Sequence, residues 1–142
     1  MQKIFLFLVI ISASKFSFGQ QYHPQSKQEI FAACMRFMDA FKASKYENAF
    51  RNLRSYSAIE DYKIDTLVKK VKEQMTSINS YYGKALSYEE ISEKDVKNSL
   101  IRLVYLVKYE KYFLKLVFIL YNNGSYWTIS NFKYTEDIAD LF

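Results

Sequence analysis

The sequence predicts an α+β domain: three N-terminal helices packed on one face of a curved four-stranded antiparallel meander sheet, followed by a short C-terminal helical turn. Two observations carry this. Apolar residues recur at helical spacing as far as Gly83, and beyond it the period falls from 3.6 towards 2 in a stretch dominated by Val, Ile, Leu, Tyr and Phe. The links between the later apolar runs are also too short for crossover helices, so those runs must pair antiparallel.

Ser26-Lys27-Gln28-Glu29 has the S-x-x-E spacing of a capping box, and Ile30, Cys34, Phe37, Met38 and Phe41 follow on one helical face. A first helix therefore starts near Lys27. Ser44 stands three residues before Glu47 in the same pattern, and Tyr46, Ala49, Phe50 and Leu53 form the next apolar stripe, which predicts a short second helix capped by Ser44. From Tyr56 to Asp61 no period persists, and the chain is expected to turn there through a brief extended piece at Tyr56 to Ile59. Ile64, Leu67, Val68, Val71, Met75, Ile78 and Tyr82 mark the face of a long third helix, with Gly83 placed where a left-handed cap residue is needed.

Strands are expected at about 85 to 93, 99 to 109, 112 to 122 and 125 to 134. Asn123-Gly124 is a hairpin signal, because both central turn residues must tolerate positive φ, and it makes the last two strands antiparallel neighbours. Thr135 is placed to cap a final turn from Glu136 to Phe142, with Ile138, Leu141 and Phe142 covering an edge of the core.

Residues 1 to 20 read as a cleavable signal peptide: Lys3, an apolar run from Ile4 to Ile11, then small or polar residues up to Gly19 and Gln20. The apolar run is far shorter than the roughly 20 residues of a membrane span, and no later stretch approaches that length, so the mature chain is expected to carry no transmembrane segment. Export to the periplasm or the extracellular space is the expected localisation. Residues 21 to 142 then form one domain with one core, the size at which about two-thirds of the unfolded surface is buried.

Composition narrows the function classes. Losing Lys3 and Lys15 with the leader lowers the formal net charge from +5 by two, and the remaining basic residues alternate with acids, as in KKVKEQ and EISEKDVK. That is the pattern of a solvated face rather than a nucleic-acid footprint. The single cysteine, Cys34, allows no intramolecular disulfide. It lies in the apolar stripe of the first helix, and the single histidine, His23, lies in the polar lead before it, so neither points to a nucleophile or a base. No calcium-loop spacing, zinc cluster, phosphate loop or G-x-S-x-G motif occurs, so no catalytic residue, metal ligand or cofactor is assigned.

Two sets of residues stand out instead. Tyr56, Tyr105, Tyr109 and Trp127 combine apolar walls with hydrogen-bonding groups suited to a small apolar or aromatic ligand. In the second and third strands both faces are largely apolar, and the face carrying Val104, Leu106, Val117, Ile119 and Tyr121 is the one the helices leave open, a pattern that marks an interface.

The element order, the helix pair around FMDAFKASKYENAFRNL and the hairpins YLVKYEKYFLKLVFILY and YWTISNFKY resemble the nuclear-transport-factor-2-like superfamily, the cone-shaped α+β fold shared with ketosteroid isomerase-like and cystatin-like domains. The resemblance spans about residues 27 to 142 and is nearest to small exported bacterial members of unassigned function. It implies a pocket between the helices and the concave sheet face, and frequent dimerisation through the sheet. Enzymatic relatives carry an acid and base pair inside the cone, and no position here matches one. The expected function is an exported, non-catalytic interaction module that dimerises or docks a protein partner through the open sheet face. The alternative is a binding protein for a small apolar ligand in the cone.

Overall fold

Lys27–Lys42 forms α1, Tyr46–Tyr56 forms α2 and Asp61–Tyr82 forms α3; the sheet then follows as β1 (Ala85–Val96), β2 (Leu100–Tyr109), β3 (Phe113–Asn122) and β4 (Trp127–Thr135). This structure is a computed structural model and describes residues 23–142. The expected signal peptide, residues 1 to 20, lies outside the described residues. No helix among the described residues is long and apolar enough to cross a membrane. The strands lie in the order β1-β2-β3-β4 with every pairing antiparallel, so the meander is present, and a 3-10 turn at Ala139–Leu141 ends the chain.

The start of α1 follows its capping signal. Ser26 Oγ accepts the Glu29 N–H at 3.2 Å, while the Glu29 carboxylate reaches back to the Gln25 N–H at 2.7 Å, one residue earlier than the usual box. The second capping pattern has a different use. Ser44 takes φ 61 and closes α1 instead of opening α2: its N–H binds Phe41 O at 2.9 Å and the Lys45 N–H binds Ala40 O at 2.9 Å. Those two bonds are a Schellman motif with serine at the left-handed position, and they satisfy carbonyls that the end of α1 would otherwise leave open. Lys45 is then the N-cap residue of α2, with no side-chain cap.

The extended piece expected at Tyr56 to Ile59 is reduced to one residue, since α2 runs through Tyr56 and only Ser57 bridges Ile129, in parallel. Ala58 N–H and Ser57 Oγ both donate to Ile129 O at 3.0 Å, which ties the α2–α3 connection to the edge of β4. Gly83 closes α3 at φ 80, and a Cβ there would meet Glu110 Cβ at 2.9 Å. Glu110 earns that closeness by accepting the Lys84 N–H at 3.0 Å, so the end of α3 is fastened to the β2–β3 turn.

One turn differs from expectation. At Asn123-Gly124 only Gly124 has positive φ, 95, and the connection is longer, closed by Asn123 Oδ1 accepting from Ser125 N–H at 2.8 Å and Tyr126 N–H at 3.0 Å. The pair of left-handed residues lies in the β1–β2 hairpin, where Lys97 has φ 49, Asn98 has φ 54 and Ser99 N–H binds Val96 O at 2.9 Å.

One core fills the space between helices and sheet. Ile30, Phe37 and Phe41 of α1, Phe50 and Leu53 of α2, and Ile64, Val71 and Met75 of α3 pack with Ile101, Leu103, Tyr105, Val107, Leu114, Leu116, Phe118 and Phe132 of the sheet. Phe37 is its centre, with ring centroids of Phe50, Phe118 and Phe132 at 5.2, 5.3 and 4.9 Å. Dispersed charges pair at the surface, as in Lys27–Glu93 and Lys72–Glu47, both 2.6 Å, which accounts for their alternation along the chain.

Candidate functional site

Alternation along β2 and β3 separates two faces. Ile101, Leu103, Tyr105 and Val107 enter the core with Leu114, Leu116, Phe118 and Leu120, so Arg102, Val104, Leu106 and Lys108 share the other face with Lys115, Val117, Ile119 and Tyr121. The register sets these outer residues in rows: Val96–Leu100–Tyr121, then Lys94–Arg102–Ile119, then Ser92–Val104–Val117, then Glu89–Leu106–Lys115.

The first row is apolar across three strands and open, with Val96, Leu100 and Tyr121 exposed by 57, 42 and 43 %. Ile119 and Leu106 are half-buried. Val104 and Val117 are 0 and 1 % exposed although they lie on the face without helices. The five interface candidates therefore divide: Tyr121 is open, Ile119 and Leu106 are partly covered, and Val104 and Val117 are closed off within the chain itself.

Asp140 shows what lies over them. Its carboxylate pairs with the Arg102 guanidinium through one oxygen and the Lys115 ammonium through the other. Arg102 and Lys115 flank the Val104–Val117 pair diagonally, two residues away on each strand, so a carboxylate gripping both spans the diagonal across that pair. The Lys115 hydrogen bond, followed by its charge and that of Arg102, holds the Asp140 carboxyl below the usual carboxylate range. The final turn thus crosses the outer face rather than an edge of the core. Thr135 Oγ1 does accept the Asp137 N–H at 3.0 Å, and Ile138 and Leu141 are half-buried, but Phe142 is exposed and covers nothing.

Arg102, Lys115 and Asp140 were not singled out by the sequence reading. Their signal was a charge interrupting an apolar strand stripe: a lysine held by strand geometry between Leu114 and Leu116 needs an anionic partner if anything covers it.

The four ligand candidates do not converge. Trp127 pairs with Asn122 at one end of the sheet and Tyr109 closes β2 at the other, roughly 33 Å away along the strands. Tyr105, Tyr109 and Trp127 are 2, 6 and 3 % exposed. Tyr105 packs edge-on to Phe118 at 5.9 Å, Tyr109 edge-on to Tyr82 at 5.5 Å with its hydroxyl 3.9 Å from Met75 Sδ, and the Trp127 N–H of the backbone donates to Pro24 O at 2.9 Å. Burial pushes both phenols well above the ordinary tyrosine range. Tyr56, half-buried at the end of α2, receives a hydrogen bond from Arg36 at 2.9 Å.

Cys34 is 0 % exposed, and burial drives its thiol strongly upward, so it carries no thiolate. The His23 ring lies tilted against that of Tyr126, with centroids 4.1 Å apart. Among the described residues no group of three His, Cys, Asp or Glu side chains is arranged to hold a metal ion. Open grooves do exist: one of about 560 Å³ between α2 and α3 is lined by Arg51, Arg54, Asp65, Lys69 and Lys72, and one of about 770 Å³ between α3 and β4 by Ile59, Tyr62, Leu67 and Phe132. In the first, Arg54 is paired with Asp65 and Lys72 with Glu47.

Comparison with known proteins finds no matching family model, no matching curated protein and no matching solved structure.

Proposed function

We propose that the chain is an exported, non-catalytic interaction module, a member of the nuclear-transport-factor-2-like superfamily by its sequence pattern, that docks a second copy of itself through the outer face of its sheet. The observation that carries this reading is the open row Val96–Leu100–Tyr121, three exposed apolar side chains in direct register on a face no helix covers. Self-docking suits that row. A twofold axis running along the row, across the strands, sets Leu100 near Leu100 of the second copy and carries the Arg102 side chains of the two copies away from each other. The next row inward supplies polar groups in Lys94 and Arg102 beside this contact.

Native mass spectrometry of the mature chain tests this. A dimer that Leu100→Glu together with Tyr121→Glu converts to a folded monomer supports the reading. A wild type that is monomeric at high concentration overturns it, and extra mass released on denaturation would instead favour the small-ligand reading, with the ligand held in an open groove rather than by the four dispersed aromatic residues.

A further inference from the structure

The segment after β4 is fastened by polar contacts at both ends. The Tyr82 hydroxyl donates to the Glu136 carboxylate at one end, and at the other Asp140 takes Arg102 and Lys115. Asp140 itself sits in the single 3-10 turn Ala139–Leu141, and Phe142 beyond it is 98 % exposed. The specific holds are polar, with the half-buried Ile138 and Leu141 beside them, whereas the Val104–Val117 pair is apolar.

We propose that Glu136 to Phe142 is a self-occluding strap: with Asp140 engaged on Arg102 and Lys115 it closes the Val104–Val117 part of the outer face, and with Asp140 released that pair joins the open row as surface for a second copy of the chain. The occlusion stands on the ion-pair geometry alone, and only the use of the uncovered surface rests on the docking reading above.

Asp140 is 46 % exposed and Arg102 25 % exposed, so solvent screens that pair, while the covered Lys115 ammonium holds the second, and the strap opens only where Lys115 regains water. Lys115 is 2 % exposed while the strap is closed, but its four-carbon stem can carry the ammonium outward once the carboxylate leaves. Release then adds the Val104 row, four residues along β2 from Leu100, to the open surface, with Ile119 and the Arg102 charge in the row between them.

Thiol accessibility reads the strap directly, because Cys34 is buried and contributes little background. In the full chain bearing Val104→Cys, labelling by a disulfide reagent at high dilution is expected to be slow, and at least tenfold faster when Asp140→Asn is added. Val117→Cys gives the same readout should Val104→Cys fail to fold. Equal rates with and without Asp140→Asn at a folded thiol variant overturn the strap. Sedimentation of Asp140→Asn in the otherwise unaltered chain separates the two readings: faster labelling with a tighter dimer supports both, and faster labelling with an unchanged monomer leaves the strap standing and removes the docking role.

Discussion

Lys115 and Asp140 meet over the outer surface of the sheet, the one a nearly inaccessible ammonium on β3 and the other a half-exposed carboxylate on the turn that follows β4. The pair explains how a lysine is accommodated beside Leu106 and Val117 on that face: a covered cation is tolerated when a carboxylate compensates its lost hydration. It also turns the C-terminal residues into a cover for the centre of the face that the helices do not reach.

The first prediction concerns acid. The Lys115 hydrogen bond, with Arg102 beside it, depresses the Asp140 carboxyl, so its contribution to closure is complete above the ordinary aspartate value of about 3.9 and is lost as pH falls through the lower folded value. The Ala139 methyl resonance should therefore stay unchanged from neutral pH down to about pH 5 and move towards its free-peptide position only below about pH 4. Movement that is already complete near pH 6 would show that Asp140 does not hold the segment.

Alkali acts on the opposite side of the molecule. The Tyr88 hydroxyl donates to Asp39 at 2.6 Å, and burial first, then that bond, pushes the phenol up to about 12. A group whose folded value is raised contributes stability that is full below the unfolded value of about 10 and is lost as pH rises towards the folded one. Denaturant midpoints should fall between about pH 10 and pH 12, and Tyr88→Phe should make that fall shallower while lowering stability at neutral pH. Tyr105 and Tyr109, raised further by burial, should keep a residual fall in the variant. An identical alkaline slope in wild type and Tyr88→Phe would contradict the assignment.

The core should fail at Phe37 before anywhere else. Its ring is 0 % exposed and meets rings from α1, α2, β3 and β4, so truncation leaves a void that four elements must share. Phe37→Ala is expected to cost about 3–5 kcal/mol, read as a shifted urea midpoint at unchanged slope. A loss below about 1 kcal/mol would mean that the surrounding rings close the gap.

Much of this architecture was legible along the chain. The stripe from Ile30 to Phe41 and the one from Ile64 to Tyr82 announce helices because a helix must bury one face, and the two-residue period after Gly83 announces strands for the same reason. The short links at 110 to 112 and 123 to 126 leave antiparallel pairing as the one available geometry. Local patterns were less decisive where two local roles compete for one residue. Ser44 suits an N-cap by spacing, yet α1 needs a left-handed residue there to close its own carbonyls, and that need prevails.

The outer face shows where sequence stops. Alternation alone assigns Val104 and Val117 to the side away from the helices, and on that basis the whole face reads as open. Whether it is open depends on where Asp140 travels, 38 residues from Arg102 and 25 from Lys115. Periodicity is a local property and determined the elements, their order and the residues on each face. The closing of that face, the burial of Lys115 and the separation of Tyr109 from Trp127 were decided by contacts between distant segments, which exist only once the sheet has set its register.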